Sequence, residues 1–109
     1  MLAFKNRLKK QKDFERVFKD GEGFKQGFLY LKVIKNGLQS TRFGFVVSKK
    51  FSKKAVDRNK AKRVIREIIK NNLSEIKSGL DVVVVVNSSI KIDPEELNKL
   101  IIALFKKIK

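Results

Sequence analysis

The chain has no cysteine, no histidine, no tryptophan and a single proline among its 109 residues. Without cysteine, neither a disulfide framework nor a thiolate metal site can form, which fits a reducing compartment. Without histidine, the commonest general base and the commonest metal ligand are both missing. The run Val82 to Val86 falls far short of the roughly 20 apolar residues that span a bilayer. The basic start, Lys5 to Lys12, is not followed by the apolar stretch of a secretory signal. No Pro- or Ser-rich linker and no internal repeat divides the chain, so one domain over 1–109 is expected, soluble and cytoplasmic. Acidic residues are scarce as well, with 11 against 27 Lys and Arg, a formal charge of +16. Self-repulsion on that scale is tolerated mainly when a polyanion is the usual companion, and nucleic acid is the obvious one. The excess is uneven. Residues 42 to 70 carry 11 basic and 2 acidic groups, whereas 71 to 109 carry 6 and 5.

Periodicity predicts the order helix, strand, strand, helix, strand, helix. A short helix over Gln11 to Lys19 places Phe14, Val17 and Phe18 on one face, with Gly21 and Gly23 as stop signals. Strands over Phe28 to Lys35 and Arg42 to Ser48 flank Asn36-Gly37, a turn pair suited to a hairpin, so the two are expected to pair antiparallel. Alternation puts Leu29, Leu31 and Val33 on a core face and Phe28, Tyr30 and Lys32 on the other. Phe43, Phe45 and Val47 likewise share the core face, and Gly44 leaves room for something to lie close against the sheet. Asp57 is the expected N-cap of a second helix reaching about Leu73, whose apolar stripe is Ala61, Val64, Ile65, Ile68 and Ile69. The valine run lacks alternation, which predicts a central strand over Leu80 to Asn87 buried on both faces. Asp93, Pro94 and Glu96 form a capping-box start for the last helix. The fold class is therefore α+β, a two-layer sandwich in which a mixed sheet packs helices against its apolar side.

Nucleophilic catalysis needs an activated side chain beside a base, and the usual His and Cys pairings are absent. The carboxylates have simpler uses. Asp57, Asp93 and Glu96 cap helices, while Glu15, Glu67 and Glu95 neighbour Lys or Arg. No catalytic residue and no protein-bound metal or cofactor is expected, so any chemistry comes from a partner. What the sequence does hold is a binding surface. Arg58, Lys62 and Arg66 recur at i, i+4, i+8 and form a cationic ridge beside the apolar stripe of the second helix. Phe14, Phe18 and Tyr30 could join that ridge in one groove, although helical spacing alone equally suits Phe14 and Phe18 as core. Residues 1–10 equally suit a flexible basic tail.

Two stretches carry a family resemblance. Arg42-Phe43-Gly44-Phe45-Val46-Val47-Ser48-Lys49-Lys50 is followed by Asp57-Arg58-Asn59-Lys60-Ala61-Lys62-Arg63-Val64-Ile65-Arg66-Glu67. Together with Asn6-Arg7-Leu8-Lys9-Lys10, Asp13-Phe14 and Val17-Phe18-Lys19, they resemble the bacterial ribonuclease P protein family. One position departs, since Lys60 stands where the family has the second arginine of Arg-Asn-Arg, which removes any bidentate guanidinium contact there. The resemblance implies a left-handed crossover between parallel strands, against the general rule. It implies ribonuclease P RNA and precursor tRNA as partners, no membrane and no small-molecule substrate, with magnesium held by the RNA subunit. It also implies a cleft for the 5′ leader of precursor tRNA at Phe14, Phe18, Tyr30, Lys62 and Arg66. The surface for the catalytic RNA falls on Lys49, Lys50, Lys53, Arg58, Asn59, Lys60 and Arg63. A structural ribosomal protein or general RNA chaperone would share the basic patch without a preference for precursor over mature tRNA.

The charge yields a prediction independent of the family. Sulfate or phosphate should raise the melting midpoint by relieving self-repulsion. Calorimetry in an anion titration checks this, and a flat response would show a free fold that does not need counter-charge.

Overall fold

The computed structural model describes residues 4–27, 29–86 and 93–108. A 3-10 turn at Phe4–Asn6 precedes α1 (Gln11–Asp20), β1 (Glu22–Gln26), β2 (Leu29–Lys35), β3 (Arg42–Val47), α2 (Ala55–Asn71), β4 (Leu80–Val86) and α3 (Pro94–Lys107). The four strands form a mixed sheet in the order β1-β2-β4-β3. β4 runs antiparallel to β2 and parallel to β3, so the chain crosses from β3 to β4 through α2. The class is α+β, as the periodicity predicted. Phe28 and Asn87, both placed on strands by sequence, lie outside the described residues.

The valine strand is central because it can be nothing else. Val82, Val83, Val84 and Val86 are all buried, so β4 needs cover on both faces and partners on both edges. This overturns the expected β2–β3 hairpin. Gly37 does adopt positive φ, 71°, but the neighbouring Asn36 uses its side chain to hold the loop open. Its Oδ1 accepts from Leu38 N at 2.7 Å, while its Nδ2 donates to Leu80 O at 3.0 Å. The turn thus grips β4, which slots between β2 and β3.

Two further expectations are corrected. Gly21 ends α1 as predicted, its N–H donating to Val17 O at 2.9 Å, but Gly23 does not stop the chain. It lies within β1, an additional strand that pairs antiparallel with β2 through a tight turn at Gly27, φ 58°. Asp57 is not the N-cap of α2. The helix begins two residues earlier behind Lys54, which makes no side-chain cap bond, and Asp57 instead accepts from Ser52 Oγ at 2.9 Å in the first turn. There its charge suits the positive end of the helix dipole. At α3 the cap is as expected, with the Asp93 side chain accepting from Glu95 N at 3.1 Å.

Helices cover both sides of the sheet. The main core joins Leu29, Leu31, Phe43, Val82 and Val84 to Ile65 and Ile69 of α2 and to Leu97, Ile101 and Leu104 of α3. On the opposite side, Val83 packs with Val17 of α1 and with Leu8, flanked by Phe14, Val46 and Val85. Residues 5–9 are therefore no loose tail. Arg7 bridges to Phe43 in parallel register, Leu8 N donates to Phe43 O at 2.8 Å, and the buried Asn6 donates to Thr41 O at 2.8 Å.

A buried ionic hub fixes α1 to this second side. Asp81, fully buried, sits beside Arg42 in the β3–β4 register. It accepts from Arg42 Nε at 2.8 Å and Nη2 at 2.6 Å, from Arg16 of α1 at 2.6 Å, and from Asn36 at 2.9 Å. Arg42 also reaches Asp13 of α1 at 3.5 Å. Burial pushes the Asp81 carboxyl up, but hydrogen bonds from Arg42, Asn36 and Arg16 outweigh it and hold the group below its ordinary value. The same pairing, led by the Asp81 hydrogen bond, raises Arg42 above its usual range.

A carboxylate with a depressed folded pKa contributes stability that is complete above its unfolded value, about 4, and is lost as pH falls through the folded value. Asp81→Asn should lower stability at neutral pH by about 3 kcal/mol, the low end for breaking a buried pair, because Asp13 stays beside Arg42. Urea titrations from pH 7 to pH 3 check this, since the variant should lose less stability on acidification than the parent chain.

Candidate nucleic-acid interface

The face pattern of α1 decides which of its apolar residues is available. Val17 is fully buried and takes the core position, Phe14 is half-buried, and Phe18 is 42% exposed. Phe14 occupies the space left by Gly44. A methyl group at Gly44 would overlap the Phe14 ring and press on Leu8 at 3.3 Å. The close approach anticipated at this glycine is thus made by the protein's own ring, which is seated against the middle of β3.

Tyr30 points to the α1 side of β2, where it is half-buried and crosses over Gly23 of β1. Gly23 has no side chain, and a methyl there would strike the Tyr30 hydroxyl. Lys62 and Arg66 stand one turn apart on α2, half-buried and exposed respectively, beside buried Ala61 and Ile65. The Arg66 guanidinium lies 5.3 Å from the centroid of the Phe45 ring, a cation–π contact. β3 is an edge strand, so Phe45 is only partly covered by the core and presents ring surface to Arg66.

These pieces meet in a pocket of about 270 Å³ at the outer edge of β3. Phe14, Phe43, Gly44, Phe45 and Arg66 line it together with Arg7, Leu8 and Lys9. Two of the five predicted leader-cleft residues, Phe14 and Arg66, are brought together here, while Phe18, Tyr30 and Lys62 lie outside it. A larger cavity of about 620 Å³ holds none of the predicted residues and is lined by Asp20, Glu22, Phe24, Lys107 and Ile108 among others. Its carboxylates make it a poor host for phosphate.

The residues predicted to face the catalytic RNA form a second group. Lys49, Lys50 and Lys53 are exposed on the connection from β3 to α2, and Asn59, Lys60 and Arg63 are exposed on the first turns of α2. Arg58 has its Nη1 donating to Ser52 O at 2.9 Å, so it shapes the loop that carries the lysines. That loop is anchored at its start, where Ser48 N donates to Val86 O at 2.9 Å, and Phe51 packs into the core. Val56, 76% exposed, adds an apolar point among these cations.

Sequence reasoning missed Phe45, Arg7 and Lys9 as neighbours of the groove, and Asp81 with Arg16 and Arg42 as the hub behind it. Phe45 alternates onto the core face and gave no sign that its strand would be an edge. Asp81 did carry a signal, because a carboxylate next to five valines must have a buried partner. Among the described residues no group of three or more His, Cys, Asp or Glu could hold a metal ion, and no helix is long and apolar enough to cross a membrane.

Gly44→Ala should displace the Phe14 ring and cost about 1–3 kcal/mol, the range for overpacking. A lowered urea midpoint with unchanged m-value, together with chemical-shift changes confined to α1 and β3, checks this.

Comparison with known proteins gives a consistent result. The family model described as Ribonuclease P matches residues 2–109. The ribonuclease P protein component of a Pseudanabaena strain is 43% identical over 89 residues, covering 81% of this chain and 77% of that protein. The component of a Clostridium botulinum strain is 38% identical over 104 residues, covering 94% and 93%. The solved RNase P protein from Thermotoga maritima superposes with a TM-score of 0.87 at 33% identity, over 94% of this chain and 97% of that one. The Staphylococcus aureus RNase P protein gives 0.85 at 30% identity, over 95% of each.

Proposed function

The chain belongs to the ribonuclease P protein family, subunits of an endoribonuclease that matures the 5′ end of tRNA, and from that premise we propose that it grips the precursor leader while the RNA subunit cleaves. The observation that carries this reading is the pocket at the β3 edge, where a ring from α1 and a cation from α2 meet beside the most basic part of the chain. Phe14, Phe18 and Tyr30 offer ring surface to bases. Stacking contributes roughly 1–3 kcal/mol per base and accepts any sequence, which suits leaders that differ between tRNAs. Lys62 and Arg66 contact phosphates and so position the strand without reading it.

The second group, Lys49, Lys50, Lys53, Arg58, Asn59, Lys60 and Arg63, binds the ribonuclease P RNA. Compact ammonium groups on a pinned loop suit a dense phosphate surface, and Lys60 serves there as a point charge where an arginine would fork. The phosphodiester hydrolysis falls to the RNA subunit in this reading, where magnesium ions held by the RNA would activate the attacking water. The protein raises substrate affinity and screens repulsion between two polyanions, a task for a cytoplasmic RNA-binding subunit.

Added to a bacterial ribonuclease P RNA at low magnesium, the chain should speed cleavage of precursors bearing a leader more than those bearing none. If about four leader phosphates are neutralised, log affinity should fall against log salt with a slope near −3. Equal stimulation with and without a leader would sink the assignment.

A further inference from the structure

Asp57 is out of place on charge alone. It is one of two carboxylates among the eleven cations of residues 42 to 70, it is exposed beside the cationic group that faces RNA, and it does not cap α2. A negative charge there repels phosphate, so its use has to lie in what it holds. Its carboxylate accepts from the Ser52 hydroxyl at 2.9 Å. The same hydroxyl oxygen accepts from Lys54 N at 3.2 Å, and the Ser52 carbonyl accepts from Arg58 Nη1 at 2.9 Å. Ser52 is thereby tied to the first turn of α2 through both its side chain and its main chain.

The four lysines of the connection form two pairs, all exposed, and the pairs are held by different means. Lys49 and Lys50 lie between Ser48, whose N–H donates to Val86 O at 2.9 Å, and Phe51, whose N–H donates to Ser48 O at 3.0 Å and whose ring packs against the core. The sheet and the core therefore place that pair. Lys53 and Lys54 lie beyond Phe51, and there the bonds made by Ser52 fix the chain before the helix begins. A loop lacking such ties has to be ordered at the moment it meets phosphate, which lowers affinity.

We propose that Ser52 and Asp57 form a latch that presents Lys53 and Lys54 to the ribonuclease P RNA. Asp57 is a positioning residue and touches no RNA itself. This rests on the assignment of the loop to that RNA and deepens it, since it adds Lys54 to the contacts and gives two residues that carry no positive charge a part in assembling the holoenzyme. The latch differs in sign from simple electrostatics. By charge alone, loss of the Asp57 carboxylate should tighten binding to a polyanion, whereas loss of a positioning acceptor should weaken it.

The test measures the affinity of the full chain for a bacterial ribonuclease P RNA across a salt series. Ser52→Ala, which leaves the net charge unchanged, should bind about fivefold more weakly near 0.15 M salt, with a slope shallower by roughly 0.7–0.9 for each phosphate no longer met. Ser52→Thr keeps the hydroxyl and should restore both values. Asp57→Ala should also bind more weakly than the parent chain despite its extra unit of positive charge. Asp57→Asn keeps an acceptor oxygen for Ser52 while removing the charge, so it should bind at least as tightly as the parent. Equal tightening by Asp57→Ala and Asp57→Asn would show that only charge matters there, and parent-like affinity and slope for Ser52→Ala would show that the loop needs no latch. Either result overturns the proposal. At saturating protein the reconstituted holoenzyme should still favour precursors bearing a leader in every variant, and loss of that preference in Ser52→Ala would mark a fold-wide role for the bond and reject the latch. Lys60→Gln with Arg63→Gln separates the two levels. If this pair weakens RNA binding while the latch variants do not, the latch alone falls; if this pair has no effect, the assignment of the surface falls with it.

Discussion

The arrangement depends on a buried carboxylate held by two guanidinium groups. Asp81 sits in the most apolar strand of the protein, where an unpaired charge would cost several kcal/mol. Its partners come from elements distant in sequence: Arg42 on β3, Asn36 in the turn after β2 and Arg16 on α1. Apolar packing by itself would hold α1 against Val83 with freedom to slide. The hub removes that freedom, because directional bonds to one carboxylate fix the helix at a defined position along the strand. The seat of Phe14 over Gly44 and the exposure of Phe18 one turn later follow from that position.

The second constraint is the edge of β3. A central strand would have buried Phe45 completely, and its neighbour would have occupied the space now filled by Arg7 to Lys9. As an edge it leaves Phe45 half-covered, within reach of Arg66 from one side of the sheet and close to Phe14 on the other. The binding surface therefore wraps around the margin of the sheet, combining residues that belong to its two opposite faces. Most of the charge lies nearby, since α2 and its leading loop carry the densest run of cations in the chain.

Much of this was legible before any coordinates. The capped start of α3 at Asp93, the stripe of α2 and the burial of the valine strand follow from local pattern and are found as expected. What failed was non-local. Asn36-Gly37 looks like a hairpin because its two residues suit one, and nothing nearby in sequence says that a strand some 40 residues later will bond to the Asn36 side chain. β1 was missed because Glu22-Gly23-Phe24-Lys25-Gln26 is short, polar and mostly exposed, so it shows no alternation. The candidate site is legible in the sequence only in parts, as separate aromatic and cationic positions. Its assembly depended on strand order, which no local period encodes.

That strand order has a consequence for how the protein is made. β2 and β3 are both synthesised before the strand that will lie between them, and each has to wait with an unfilled inner margin while α2 emerges. The sheet cannot close until residues 80–86 have left the ribosome, well after β2 and β3 are out. Closure of this kind joins distant segments and is intrinsically slow. During that interval the nascent chain is a strongly cationic polymer beside ribosomal RNA, and mutual repulsion of its lysines and arginines keeps it apart from its own copies until β4 and then α3 complete the core.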